Sequence, residues 1–244
     1  MNLLLISQDY PYLSASVLMF LLCLVAGRLL LPPQQFRATI FSGLLNAPCC
    51  LFTPLLEKSY WSPKRAGGWI LGIEDPLISY VVAAMAWLSV AFLLRNRLAF
   101  CMPAAGFFRR YNTAAGMSVA LFLAMHLSGL DAMTALIVTC GVMAVCLQIL
   151  RRDLWPLSLT GFLGFPILYL LIVKLDFWLW PESIFQWNPG WGQTIFGLPL
   201  GEILWAVVFA VYWPLFFGYT FNLKVIRPRL WAQNEMALVN DQIM

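Results

Sequence analysis

The chain has 244 residues, of which 61% are hydrophobic and 11% charged, and its mean hydropathy is +0.80. That composition excludes an ordinary soluble domain and a disordered one, and predicts a multi-span membrane protein. The formal net charge of +4 is weak support for a nucleic-acid partner, and none is expected, because membrane topology accounts for the basic residues.

The first ten residues carry no positive n-region, and the apolar run after them ends in Arg28 rather than at small residues. No cleavable signal peptide is therefore expected. Seven apolar stretches are long enough to cross a bilayer or nearly so, at 12–31, 38–56, 76–94, 113–130, 132–150, 155–173 and 199–221. Each is predicted to be a helix, since backbone polar groups in lipid must pair within their own segment. Pro48 and Pro54 in the second stretch and Pro166 in the sixth predict kinks where a cavity can form.

Charge sets the expected direction. Placing the N-terminus outside leaves Arg28, Arg37, Arg95, Arg97, Arg109, Arg110, Arg151, Arg152, Lys224, Arg227 and Arg229 in cytoplasmic segments. Only Lys58, Lys64, Arg65 and Lys174 then fall outside, a clear positive-inside bias. The expectation is a multi-pass protein of the cell (inner) membrane with a cytoplasmic C-terminus. Most acids fall on the outer side, among them Asp9, Glu57, Glu74, Asp75, Asp131, Asp176, Glu182 and Glu202, whereas Asp153, Glu235 and Asp241 fall inside. The only histidine, His126, lies near the outer end of the fourth stretch. The six cysteines, Cys23, Cys49, Cys50, Cys101, Cys140 and Cys146, show no metal-ligand spacing and read as small packing residues, so no metal site is expected.

The chain also repeats itself. C-L-V-A-G-R at 23–28 matches C-L-Q-I-L-R at 146–151, W-S-P at 61–63 matches W-N-P at 187–189, Gly72 matches Gly197, and Trp87 matches Trp213. The offsets are 123, 126, 125 and 126 residues. The expected fold is all-α and integral to the membrane, with seven transmembrane helices built from two parallel three-helix repeats joined by a connecting helix. Residues 1–95 form the first repeat, 96–131 the connecting loop and fourth helix, 132–222 the second repeat and 223–244 a cytoplasmic tail. The loops around the two W-x-P motifs are rich in aromatics (Tyr60, Trp61, Trp69; Trp178, Trp180, Trp187, Trp191). That composition suits an interfacial belt, or the roof of a pocket for a flat, conjugated ligand.

Each such loop leads into an acidic helix start: G-I-E-D-P-L-I-S-Y with Glu74 and Asp75, then G-L-P-L-G-E-I-L-W with Glu202. Asp75 and Glu202 correspond within one residue of the repeat offset. Two readings stay open. A carboxylate in a helix's first turn is favoured by the macrodipole by about 0.3–1 kcal/mol and caps free N–H groups. Alternatively, burial against an apolar cavity keeps one acid protonated, able to protonate a carbon–carbon double bond. Tyr80, Trp205 and Tyr212 would then stabilise the resulting cation. Asn46 is placed to line the same cavity or to make a helix–helix hydrogen bond. His126 serves as a proton relay or as a structural residue. The seventh stretch has no lysine before Lys224, which excludes a retinal-type Schiff base there. No G-x-G-x-x-G, P-loop, H-E-x-x-H or G-x-S-x-G occurs.

The paired acid motifs, the aromatic loops before them and the tandem three-helix halves resemble the lycopene cyclase domain family of integral-membrane, heterodimer-type carotenoid cyclases. The resemblance covers roughly 12–221 and is strongest at 57–90 and 183–221. It implies a non-redox isomerisation without metal or cofactor: an acid protonates the end of a linear polyene, the cation closes a ring, and a proton is lost. Glu74, Asp75 and Glu202 would be the catalytic acids, and a membrane lipid or polyene the substrate. The sequence departs from the family pattern at Gly72, where proline is common, and at Gly201, which takes the place of one acid. The alternative is a non-catalytic protein on the same scaffold that binds or moves a lipid or terpenoid. These cyclases often occur as separate halves, which leaves a homo- or hetero-oligomer open.

Overall fold

The computed structural model describes residues 9–57, 60, 62–67, 70–99, 104–180 and 193–226. Trp61, Trp69, Trp187, Trp191, Glu182 and the tail beyond 226 lie outside the described residues.

Proline and charge explain most helix boundaries. Helices α1 (Pro11–Leu30), α2 (Pro33–Asn46) and α7 (Trp155–Leu179) have proline in their first two positions, where the missing N–H costs nothing. Pro48 cannot donate within the next turn, and the chain tightens into a 3₁₀ segment, Ala47–Phe52, before the short α3 (Thr53–Glu57). Helix α4 is Glu74–Leu94, α5 Ala104–Leu127, α6 Ala132–Leu150 and α8 Leu200–Thr220. Asp131 caps α6, accepting the Thr134 N–H at 3.0 Å.

Six helical segments among the described residues are long and apolar enough to span a membrane. They are α1, the Pro33–Glu57 run, α4, α6, α7 with its leading turn, and α8. Helix α5 is long, but Arg109, Arg110, Asn112 and His126 dilute its hydropathy, and it begins well before the expected residue 113. The proline break in the second stretch occurs as expected, whereas α7 runs unbroken through Pro166 and on to Leu179. Large apolar residues point outward at helical spacing, such as Leu21–Val25–Leu29, Val145–Ile149 and Leu163–Ile167–Leu171. Such faces suit lipid rather than water. The protein is all-α, apart from two-residue strand pairs, and membrane-embedded.

Two helices form the centre. Helix α4 packs on α1, α2 and α7, and α8 packs on α6, α7 and α5. Their C-terminal ends lie together, because β1 (Leu98–Ala99) pairs antiparallel with β4 (Lys224–Val225). The same end collects cations: Arg151 donates to Asn222 Oδ1 (3.0 Å) and to the Leu223 carbonyl (2.6 Å), and Arg110 Nε donates to the Thr220 carbonyl (3.1 Å). At the opposite end, a hairpin of β2 (Thr194–Ile195) and β3 (Leu198–Pro199) leads directly into α8. Its turn residues Phe196 (φ 54°) and Gly197 (φ 73°) both have positive φ, as a type I′ turn requires.

Inside, Trp213 Nε1 donates to Ser42 Oγ (2.8 Å), which donates to the Ala83 carbonyl (2.9 Å), so one chain of hydrogen bonds ties α8, α2 and α4. Helices α7 and α8 meet at Gly161, where an added Cβ would fall 2.1 Å from the Ala210 carbonyl oxygen. A backbone atom cannot turn aside as a side chain can. Gly161→Ala gains up to about 1 kcal/mol of helix propensity, but overpacking costs about 1–3 kcal/mol or more. The expected result is a lower thermal midpoint in detergent; an unchanged or raised midpoint would show that the contact is not tight.

Candidate functional site

A cavity of about 260 Å³ lies between α2 with its 3₁₀ extension, α4, α5, α6, α7 and α8. One wall is a face of α8. Starting at Glu202, positions 205, 209, 213 and 216 recur every three or four residues and carry Trp205, Phe209, Trp213 and Phe216. Their rings form a ladder: Trp205–Phe209 at 4.9 Å, Phe209–Trp213 at 5.7 Å and Trp213–Phe216 at 5.0 Å between centroids, all stacked. Tyr212 also lines the cavity, 2.9 Å from Ser118 Oγ.

Glu202 stands at the acidic end of this ladder, buried and lining the cavity. Both its oxygens are engaged by phenols. Tyr60 Oη donates to Oε2 at 2.6 Å, and Tyr169 Oη donates to Oε1. Tyr60 comes from the segment after α3 and Tyr169 from α7, so three parts of the chain converge on this one carboxyl. Burial first, and then the neighbouring Glu202, push the Tyr60 phenol well above its ordinary range, which keeps it a proton-bearing donor.

The first acid motif is wired differently. Asp75 is fully buried and accepts from Arg65 Nε (2.7 Å), Arg65 Nη2 (3.1 Å), Gly72 N (2.7 Å) and Tyr12 Oη (3.3 Å). Arg65 also pairs with Glu57. Burial opposes the guanidinium charge, but the hydrogen bonds to Asp75 and Glu57 outweigh it and hold Arg65 well above its ordinary range. Glu74 accepts the Ala66 N–H at 3.0 Å and fills the space beside Gly72, where a Cβ would come within 2.5 Å of its carboxylate. Both acids therefore fasten Arg65, Ala66 and Gly72 to the start of α4, and neither lines the cavity.

Of the other residues expected at the site, Asn46, Trp205 and Tyr212 line the cavity. Asn46 also donates to the Ser79 carbonyl at 2.7 Å. Tyr80 packs against Gly43 and the Phe20 ring, and its ring is not in the cavity wall. His126 sits at the exposed end of α5, with Nδ1 3.0 Å from the Leu130 carbonyl, away from the cavity. Among the described residues no group of three or more His, Cys, Asp or Glu is placed to hold a metal ion.

Tyr60, Tyr169 and Arg65 were not singled out as site residues by sequence reasoning. Tyr60 belongs to the loop aromatics read as an interfacial belt or a pocket roof, Arg65 reads as a topology residue, and nothing in the sequence near Tyr169 links it to Glu202. Another such residue is Asp176 in α7, fully buried, with neither carboxyl oxygen hydrogen-bonded among the described residues. An unsatisfied buried polar group costs about 1–3 kcal/mol, more when charged. Asp176→Leu is expected to raise the unfolding midpoint in detergent. A fall would contradict the reading of this carboxyl as an unsatisfied buried group.

No family model matches the chain, and neither a curated protein nor a solved structure matches it.

Proposed function

We propose that this chain is a lycopene-cyclase-type membrane protein in which Glu202 alone performs the acid chemistry on a linear polyene or related isoprenoid. The observation that carries the reading is the contrast between the two repeat acids. Asp75 is matched by a guanidinium outside the cavity, whereas among the described residues Glu202 faces the cavity with only neutral phenols as partners. An acid without a cation beside it, in apolar surroundings, is suited to giving a proton to carbon.

The step balances without a redox partner. Glu202 delivers its proton to the terminal double bond of the polyene, leaving a tertiary carbocation. A double bond further along the chain attacks that cation and closes a six-membered ring. Loss of a proton from a neighbouring carbon restores the alkene, so substrate and product are isomers. The Glu202 carboxylate left behind is held by the Tyr60 and Tyr169 hydroxyls, and the faces of Trp205 and Phe209 lie along the path of the cation. The cavity volume is below the 300–1,000 Å³ of a typical drug-sized pocket, so it accommodates one end of such a chain rather than the whole.

The same reading takes the chain as seven spans in two parallel repeats. Supporting this, each third helix (α4, α8) packs on both preceding helices of its trio, and the two run to a shared end joined by β1 and β4. The basic residues at that end favour a cytoplasmic placement, with Glu202 at the outer side. A second reading, a non-catalytic carrier of a lipid or terpenoid, draws on the engagement of Glu74 and Asp75 in fastening a loop. Pigment analysis of cells that make a linear polyene and express this protein separates the two. Ring-ended product supports catalysis, and unchanged linear polyene with normal protein levels supports the carrier.

A further inference from the structure

The cavity also has a side facing away from Glu202. There the wall consists of the 3₁₀ segment Ala47–Phe52 and helix α5. Helix α5 meets this part of the wall at either end of the segment, at Leu45 in the last turn of α2 and at Phe52. Tyr111 Oη donates to the Leu45 carbonyl at 3.3 Å, and Phe52 meets Phe122 edge-on at 5.2 Å. Between these contacts the facing residues are Cys49, Ala115, Ser118 and Val119, all of which line the cavity. Cys49 and Val119 are exposed, Val119 at 37%, while Ala115 and Ser118 are half-buried. Two of the four residues thus line the cavity and are accessible as well. Helix α5 packs chiefly on α6 and α8, and the gap is the space between it and Ala47–Phe52. Pro48 sets the local geometry on the other side, where α2 tightens into the 3₁₀ segment.

The surroundings of the gap say what passes through it. Residues 41–56 and 111–125 contain no charged side chain, and Phe41, Leu44 and Leu51 around it are exposed at 53%, 54% and 66%. That is a lipid-facing surface. The acidic end of the cavity, by contrast, is roofed by Tyr60 over Glu202, exposed at only 4% and 7%. We infer that the cavity is loaded sideways from the bilayer, through a window between Ala47–Phe52 and α5, by the apolar end of a long-chain isoprenoid lipid whose remainder stays in the membrane. This rests on the cavity being a binding site and is independent of the acid chemistry at Glu202.

Cys140, buried in the cavity wall, gives a reporter. A variant with the other five cysteines replaced by alanine is reconstituted in phosphatidylcholine vesicles and treated with a farnesyl-bearing maleimide or a sulfonated, water-soluble one. Intact mass measures alkylation. The farnesyl reagent is expected to label Cys140 and the sulfonated one to leave it unmodified. Val119→Trp and Ala115→Phe, which narrow the window, are each expected to slow labelling about tenfold or more, a barrier change an added ring can supply. Val142→Trp, on the lipid face of α6 away from the cavity, should leave the rate unchanged, and thermal midpoints confirm that each variant is folded. Labelling in a Glu202→Gln background should match the parent, which separates failure of the window from failure of the acid. Equal labelling by the two reagents, or labelling indifferent to both window variants, would overturn the inference.

Discussion

Glu202→Gln should cut ring formation per folded molecule by about 10²–10⁴-fold, the contribution typical of a positioned general acid. Glutamine has nearly the same shape: its carbonyl oxygen accepts from one of the two hydroxyls that hold Glu202, those of Tyr60 and Tyr169, and its NH2 donates to the oxygen of the other. It cannot release a proton to carbon, so the chemistry is lost while the cavity remains. Thermal unfolding in detergent should change little. Tyr169→Phe is expected to be intermediate, because the acid stays but its carboxylate loses one of two supporting hydroxyls. The readout is the ratio of ring-ended to linear pigment at matched protein level. A large drop in melting temperature with turnover per folded molecule preserved would assign Glu202 a capping role instead.

The second large effect is on stability. Arg65→Ala should destabilise the protein by about 3–5 kcal/mol, the usual result of removing one partner from a buried ion pair. The Arg65 side chain is 6% exposed and that of Asp75 fully buried, so water cannot take over the missing interaction. Among the described residues the loss leaves Asp75 with the Gly72 N–H and the Tyr12 hydroxyl, and it removes the ion pair between Arg65 and Glu57 as well. Replacing the pair together, Arg65→Met with Asp75→Leu, should recover much of the deficit, because no charge then stays buried without its partner. Denaturant or thermal unfolding in detergent measures both. A neutral Arg65→Ala would show that this clasp is not what holds Ala66 and Gly72 to α4.

The sequence made some of this legible and hid the rest for identifiable reasons. The apolar run 132–150 coincides with α6, which Asp131 caps at one end and Arg151 and Arg152 follow at the other. Trp205 and Tyr212 line the cavity on the face of α8 that also carries Phe209, Trp213 and Phe216. The start of α5 was missed because Arg109 and Arg110 read as a boundary, while the helix continues through them from Ala104. The equivalence of Asp75 and Glu202 was visible as an offset, but their different roles were not. What distinguishes them is the donor brought to each, Arg65 for one and Tyr60 with Tyr169 for the other. Such partners come from loops and from a helix 33 residues away, contacts that no local pattern encodes. Tyr80 lies five residues after Asp75, whereas Trp205 lies three after Glu202, and at Gly43 the ring of Tyr80 serves as packing.

The central claim is that of two repeat-related acids only Glu202 does chemistry. Cells that make a linear polyene can carry the wild-type chain, Glu202→Gln or Asp75→Asn, with pigment normalised to folded membrane protein. The account expects ring-ended product from the wild type and, at reduced protein yield but similar turnover per folded molecule, from Asp75→Asn, with almost none from Glu202→Gln. Ring formation that survives Glu202→Gln, or that disappears in folded Asp75→Asn while Glu202→Gln retains it, would contradict it.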